Sequence, residues 1–213
     1  MTGASEKSLR RAGREYEQVV VHPNDHAGYY PGASPMTLKL LFNPEDARVW
    51  GAQAVGTAGV DKRIDVIAMA IHAEMTVDDL EEVELCYAPQ YGSAKDAVNM
   101  AGFVAAGVMR GDHPVTHCHL LPPTDQPRDW YVLDVRSPVE FAAGHIHDAI
   151  NIPLEELRER MSELPTNRRI AVYCFVGQRG YMATRVLKQN GFDVCNLSGG
   201  FKSWQHRHAT GSS

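Results

Sequence analysis

Four cysteines among 213 residues, at Cys86, Cys118, Cys174 and Cys195, are too few and too scattered for a disulfide framework, and no CxxC pair is present. They are expected to be free thiols in a reducing compartment. No apolar run approaches the ~18 residues that a membrane helix needs, which excludes a helical span. The opening stretch MTGASEKSLRRAGREYEQ has basic residues but no apolar core behind them, so it does not read as a secretory signal. A cytoplasmic location and no membrane partner are the expectation. Clustered Lys and Arg are also lacking: the formal net charge is −5 and the pI is near 6.0, which argues against a nucleic-acid partner bound along its phosphates.

What is present is ordinary for a globular protein, with 44% hydrophobic and 22% charged residues. The length holds one large domain or two small ones, and the patterning points to two. In the first, expected over 1–111, Leu38, Leu40 and Phe42 alternate as in a half-buried strand, and Val49 to Val55 follows the turn-like NPEDA to complete a hairpin. Val60, Ile64, Ile67, Ala68 and Ile71 share one helical face, Thr76 with Asp79 opens another helix, and a last helix is expected over Ala94–Met109. The stretch from Gly111 to Asp129 has four prolines and no sustained periodicity, so 112–129 reads as a linker, with a possible edge strand around Val115 to Leu120. Beyond it, over 130–209, strand candidates Tyr131–Asp134, Ile150–Ile152, Ile170–Tyr173 and Asp193–Leu197 alternate with helices such as Leu154–Leu164 and Arg179–Asn190. The fold class is therefore α+β for the first domain and α/β with a parallel sheet for the second.

The chemistry sits where the run Ile170–Tyr173 ends at Cys174 and Phe175, Val176, Gly177, Gln178, Arg179 and Gly180 lead into a helix. A thiol at a helix N-terminus faces unpaired backbone N–H groups and the positive end of the dipole, which stabilise a thiolate or persulfide anion. Arg179 adds positive charge for an oxyanion donor such as thiosulfate, and Gly177 permits the turn. Taken alone, Cys174 is as readily a buried packing residue.

Around it, Leu133-Asp134-Val135-Arg136, Glu140-Phe141, Gly144-His145-Ile146, Asn151-Ile152-Pro153, Cys174 with Arg179, and Leu197-Ser198-Gly199-Gly200 with Trp204 closely resemble the rhodanese family. That resemblance implies that Cys174 accepts sulfur as a persulfide and that the loop wraps it. Phosphatases sharing the fold place Arg six positions after Cys, whereas Arg179 follows Cys174 by five, so sulfur is the implied cargo. Asp134 and Arg136, at a strand's carboxyl end, are equally readable as substrate contacts or as an ion pair. His145 reads as a structural hydrogen-bonding residue, and Ser137 with Glu140 as a capping box without chemistry.

Tyr16 to Met109 resembles the dimerisation domain of flavin-dependent pyridine-nucleotide disulfide oxidoreductases, in particular the coenzyme A-disulfide reductase and NADH-dependent persulfide reductase group. The carrying stretches are His22-Pro23-Asn24, His26 to Gly32, Gly51 to Gly56, Val60 to Asp65, Tyr87-Ala88-Pro89, and Ser93 to Asp96; Gln90, Gly92 and Ala97 depart from the usual pattern. The resemblance implies a homodimer and names Tyr30 and Tyr87 as substrate contacts, with ordinary interface aromatics as the alternative. FAD and NAD(P)H are implied for full-length relatives, but no GxGxxG loop or upstream redox cysteine is present, so no cofactor is expected in this chain. It reads either as part of a longer reductase or as a separately encoded tail. Two functions compete: a sulfurtransferase moving sulfur from thiosulfate or a small persulfide, such as coenzyme A persulfide, to a thiol acceptor, and a non-catalytic dimerisation and persulfide-delivery module. No metal site is expected from His113, His117, Cys118 and His119, and Cys86 and Cys195 read as packing residues.

Overall fold

The computed structural model describes residues 1–121 and 130–209, in two units that divide after Arg110. The first unit runs β1 (Thr2–Gly3), α1 (Glu6–Arg11), β2 (Glu17–Val21), β3 (Met36–Phe42), β4 (Val49–Gly56), α2 (Val60–His72), α3 (Val77–Glu82) and α4 (Ala97–Met109). Its sheet is antiparallel in the order β1-β4-β3-β2. The expected hairpin is β3 with β4, in register Leu40 to Ala52. Alternation along β3 buries Met36, Leu38 and Leu40, as a strand covered on one face requires. Strand β2 was not foreseen: the contiguous Val19, Val20 and Val21 hide its alternation, and only pairing Val19 to Leu40 reveals the register.

Helix α2 covers the sheet, but its most buried line is Arg63, Ile67 and Ala70, flanked by half-buried Val60, Ile64 and Ile71. The face is centred on a charge because Arg63 is fully engaged. Its Nε bonds both carboxylate oxygens of Asp96 at 3.1 Å, and its Nη2 donates to Asp96 Oδ2 at 2.5 Å and to the Asp25 carbonyl at 2.6 Å. Asp96 is also the N-cap of α4, its side chain accepting from Val98 N–H, so that helix opens at Ala97 and not at Ala94. Gly102 lets α4 meet α3, since a Cβ there would lie 2.5 Å from the Glu81 nitrogen.

The second unit runs β5 (Val115–Thr116), β6 (Trp130–Asp134), α5 (Pro138–Ala142), β7 (Ile150–Asn151), α6 (Leu157–Arg160), β8 (Arg169–Tyr173), α7 (Gln178–Gln189), β9 (Val194–Leu197) and α8 (Gly200–Ala209). Every pair in its sheet, β5-β9-β8-β6-β7, is parallel. Both faces are covered, so strand residues sort by period two. Ile170, Val172 and Cys174 join the core with Leu157 and Leu187, while Ala171 and Tyr173 join the other with Ile146 and Phe201.

Two expectations change here. The helix read over 154–164 is a single turn, α6, followed by a 3-10 turn at Met161–Glu163. The stretch read as a linker from 112 is, as far as Leu121, part of the second unit: β5 pairs with β9, and Leu121 is buried. Its remainder, 122–129, lies outside the described residues.

Replacing Asp96 with Ala leaves Arg63 charged and buried without its partner, which should cost about 3–5 kcal/mol. Urea unfolding followed by hydrogen exchange in peptides from residues 60–109 should show a lowered midpoint in that unit.

Candidate active site

Strand β8 ends in the sheet's centre, and the next backbone carbonyls must find donors away from the ladder. They find α8: Phe201 N–H donates to the Cys174 carbonyl at 2.8 Å and Lys202 N–H to that of Phe175 at 2.9 Å. Gly200 makes this approach possible, because a Cβ on it would stand 2.5 Å from the Cys174 oxygen. From this base the chain turns through Phe175 and Val176 to Gly177, the N-cap of α7, whose φ of 110° lies where side-chain-bearing residues are strained.

The turn brings Gly177 N–H to 3.2 Å from Cys174 Sγ. The first intrahelical bond of α7 is Tyr181 N–H to the Gly177 carbonyl, so the amides of Gln178, Arg179 and Gly180 open the helix without intrahelical acceptors. The thiol, 1% exposed, therefore sits beside the Gly177 amide where the helix opens. Phe175 and Gln178 are exposed, Val176, Gly177 and Arg179 are half-buried, and Gly180 is buried.

Arg179 is not loose. Its guanidinium forks onto Glu140 at 2.6 and 2.8 Å, while Glu140 also caps α5 through the amide and hydroxyl of Ser137. These hydrogen bonds hold Arg179 above its ordinary range, the Cys174 side chain adding to them, and they pull Glu140 down to about 2. Glu140 was foreseen only as a cap. Its second role was invisible because Arg179 lies 39 residues away.

Of the two readings of Asp134 and Arg136, substrate contacts or an ion pair, the structure shows the ion pair. Both are buried, the Asp134 carboxylate accepting from Arg136 N–H, Nε and Nη2, and Arg136 Nη2 also reaching the Gly144 carbonyl at 2.7 Å. The guanidinium lies 4.2 Å from the Phe201 ring centre. The pair is an internal clamp between β6, the turn at Gly144 and α8. His145 stacks on Phe141 and bonds its carbonyl at 3.0 Å, a structural placement.

In the first unit, Tyr30 and Tyr87 are both exposed but differently partnered. Tyr87 shares a 2.8 Å hydrogen bond with Tyr29, and Tyr30 lies edge-on to His26. Cys86 is exposed, with Lys62 Nζ at 3.9 Å, which corrects its reading as a packing residue. Cys195 is buried, and burial pushes its thiol up to about 12. It belongs to the core opposite that of Cys174, because it pairs with Ala171 and shares its face, whereas Cys174, three positions further along the chain, points to the other. Among the described residues no group of three or more His, Cys, Asp or Glu is arranged to hold a metal.

Comparison with known proteins decides the lineage of both units. The model of the rhodanese-like domain matches residues 122–207, and that of the pyridine nucleotide-disulphide oxidoreductase dimerisation domain matches residues 1–98. The chain joins these two domains. Coenzyme A disulfide reductase of Staphylococcus haemolyticus is 46% identical over 91 residues, which are 43% of this chain and 21% of that protein. Reduced CoADR-RHD of Bacillus anthracis superposes with a TM-score of 0.90 at 46% identity, over 96% of this chain and 36% of that one. A NAD-dependent persulfide reductase from A. fulgidus gives 0.83 at 39% identity, over 95% and 36%. The chain thus spans about a third of those two solved proteins and about a fifth of the curated reductase. A dinucleotide site on a parallel sheet needs a Gly-x-Gly turn, and no two glycines of this sequence have a single residue between them. These residues do not fit FAD or a nicotinamide dinucleotide.

In the rhodanese-like domain, the depressed Glu140 makes a signed prediction. A carboxylate held at about 2 against an ordinary 4.5 contributes stability above the ordinary value and loses it as pH falls through 2. Both partners are about one-third exposed, so solvent screening keeps the effect near ~1 kcal/mol. Glu140→Gln should lower thermal stability at pH 7 and converge with the parent chain near pH 2, as calorimetry would show.

Proposed function

We propose that the rhodanese-like domain is a sulfurtransferase whose nucleophile is Cys174. The observation carrying this reading is the amide of Gly177 directed at Cys174 Sγ where α7 opens. The Cys174 thiolate attacks the outer sulfur of thiosulfate or of a small persulfide. A bond forms between Sγ and that sulfur, and the donor's sulfur–sulfur bond breaks, releasing sulfite or a thiolate. An acceptor thiolate then attacks the terminal sulfur of the persulfide, and the Cys174 thiolate leaves. The α7 amides carry the negative charge of both the thiolate and the persulfide. Arg179, anchored by Glu140, offers its remaining donor surface to an anionic donor.

The dimerisation domain makes the chain a homodimer, with Tyr30 and Tyr87 on the exposed tyrosine surface as substrate contacts. Coenzyme A persulfide is the favoured physiological donor, since reductases of coenzyme A disulfide and of persulfides are among the relatives. A cytoplasmic setting suits thiol chemistry of this kind. A second reading, that the chain dimerises and delivers persulfide to a separate FAD and NADH reductase without turning over, is favoured by one fact: the similar reductases are nearly three times longer.

Intact-mass spectrometry before and after thiosulfate, followed by peptide mapping, tests the proposal. One sulfur should appear on the Cys174 peptide, leave on treatment with cyanide or dithiothreitol, and be absent in Cys174→Ser. Turnover of thiosulfate and cyanide by the chain alone would favour the enzyme; loading without turnover would favour the delivery module.

A further inference from the structure

Among the described residues Gly177 holds the amide that touches the nucleophile, and as a glycine it has the widest torsional freedom in the backbone. Something outside the loop must therefore hold it. Its carbonyl accepts from Tyr181 N–H at 2.8 Å and from Asn196 Nδ2 at 3.0 Å. Asn196 stands on β9 and is buried; its Nδ2 also lies 2.8 Å from His113 Nε2. His113, ahead of β5, is buried in turn and meets the Tyr181 ring edge-on at 4.6 Å.

These contacts leave one arrangement of protons. Turning the Asn196 amide over would set its oxygen against the Gly177 carbonyl, acceptor against acceptor. With Nδ2 toward Gly177, its second hydrogen is directed at His113 Nε2, which must then be the unprotonated nitrogen, the ring carrying its hydrogen on Nδ1. Burial, with the charge of Arg185 adding to it, lowers the His113 pKa to about 4, so the ring is neutral and able to accept. Asn196 Oδ1 has no hydrogen-bond partner among the described residues and lies against Gly180, where a Cβ would come within 2.3 Å. Gly180 is thus small to admit this amide.

We infer that Asn196 and His113 are positioning residues for the sulfur-carrying loop, acting through Gly177: His113 orients the Asn196 amide, and Asn196 holds the Gly177 carbonyl so that the N–H across the same Cα stays on Cys174 Sγ. Neither touches the sulfur. The inference rests on the reading of Cys174 as the sulfur carrier and extends the site to a second layer on β9 and the segment before β5.

The test compares Asn196→Leu, His113→Leu and His113→Gln in the full chain. Glutamine can accept the Asn196 hydrogen as Nε2 does, whereas leucine cannot. Single-turnover loading of Cys174 at saturating thiosulfate should slow about tenfold in Asn196→Leu and His113→Leu, the size expected for one lost hydrogen bond. The donor concentration at half-maximal rate should stay the same, and His113→Gln should load at nearly the parental rate. Iodoacetamide alkylation of Cys174, followed by peptide mapping, should slow in the same two variants. Parental rates in both leucine variants would overturn the inference, as would a His113→Gln chain as slow as His113→Leu. If Asn196→Leu does not fold, the two His113 variants decide the matter. If the parent chain takes up no sulfur but alkylation still slows as stated, the sulfurtransferase reading fails and the positioning role stands.

Discussion

Two backbone hydrogen bonds, from Phe201 and Lys202 at the start of α8 to the carbonyls of Cys174 and Phe175, are the constraint on which the site depends. A parallel strand buried on both faces cannot end with its last carbonyls unpaired. By supplying those donors from a separate helix, the fold lets β8 stop in the middle of the sheet and lets the next residues turn sharply toward α7. Gly200 is required on one side of that junction by the close approach of backbone, and Gly177 on the other by its positive φ. With both ends held, the thiol has little choice but to lie beside the Gly177 amide where α7 opens.

The ion pairs of the two domains show how burial changes what the same chemistry does. Arg63 with Asp96, and Arg136 with Asp134, are enclosed and use nearly every donor and acceptor on internal partners. Such pairs gain little net stability over an apolar core, but losing one partner is costly, so they act as locks on geometry. Arg63 joins α2 to the cap of α4, and Arg136 joins the end of β6 to the turn at Gly144. Glu140 with Arg179 is the same pairing at one-third exposure, where water competes for both groups. There it steadies a side chain that still faces solvent and can meet an anion.

Much of this was readable along the chain. Alternation at Leu38, Leu40 and Phe42, the turn at NPEDA, and the strand-to-helix passage through Cys174 each reflect a local period or a local turn. Strand β2 was not readable, because three adjacent valines carry no period, and α6 was overread because polar residues at helical spacing do not show where a helix stops. Asp134 and Arg136 were equally readable as ligands or as an ion pair, because the end of a parallel strand is where ligands gather; the clamp appears only once Gly144 and Phe201 are brought beside them.

The sequence by itself determined the two-part organisation, the parallel sheet, and the placing of a single thiol at a helix N-terminus with an arginine five residues on. Those features depend on spacing within about one helical turn or one strand, which the order of residues carries directly. Only the tertiary structure decided which groups support that thiol: Glu140 on Arg179, α8 on the loop carbonyls, Asn196 and His113 on Gly177. Hydrogen bonds span about 3 Å whatever the separation along the chain, and residues 19 to 83 positions apart come within that distance only when the sheet has aligned its strands.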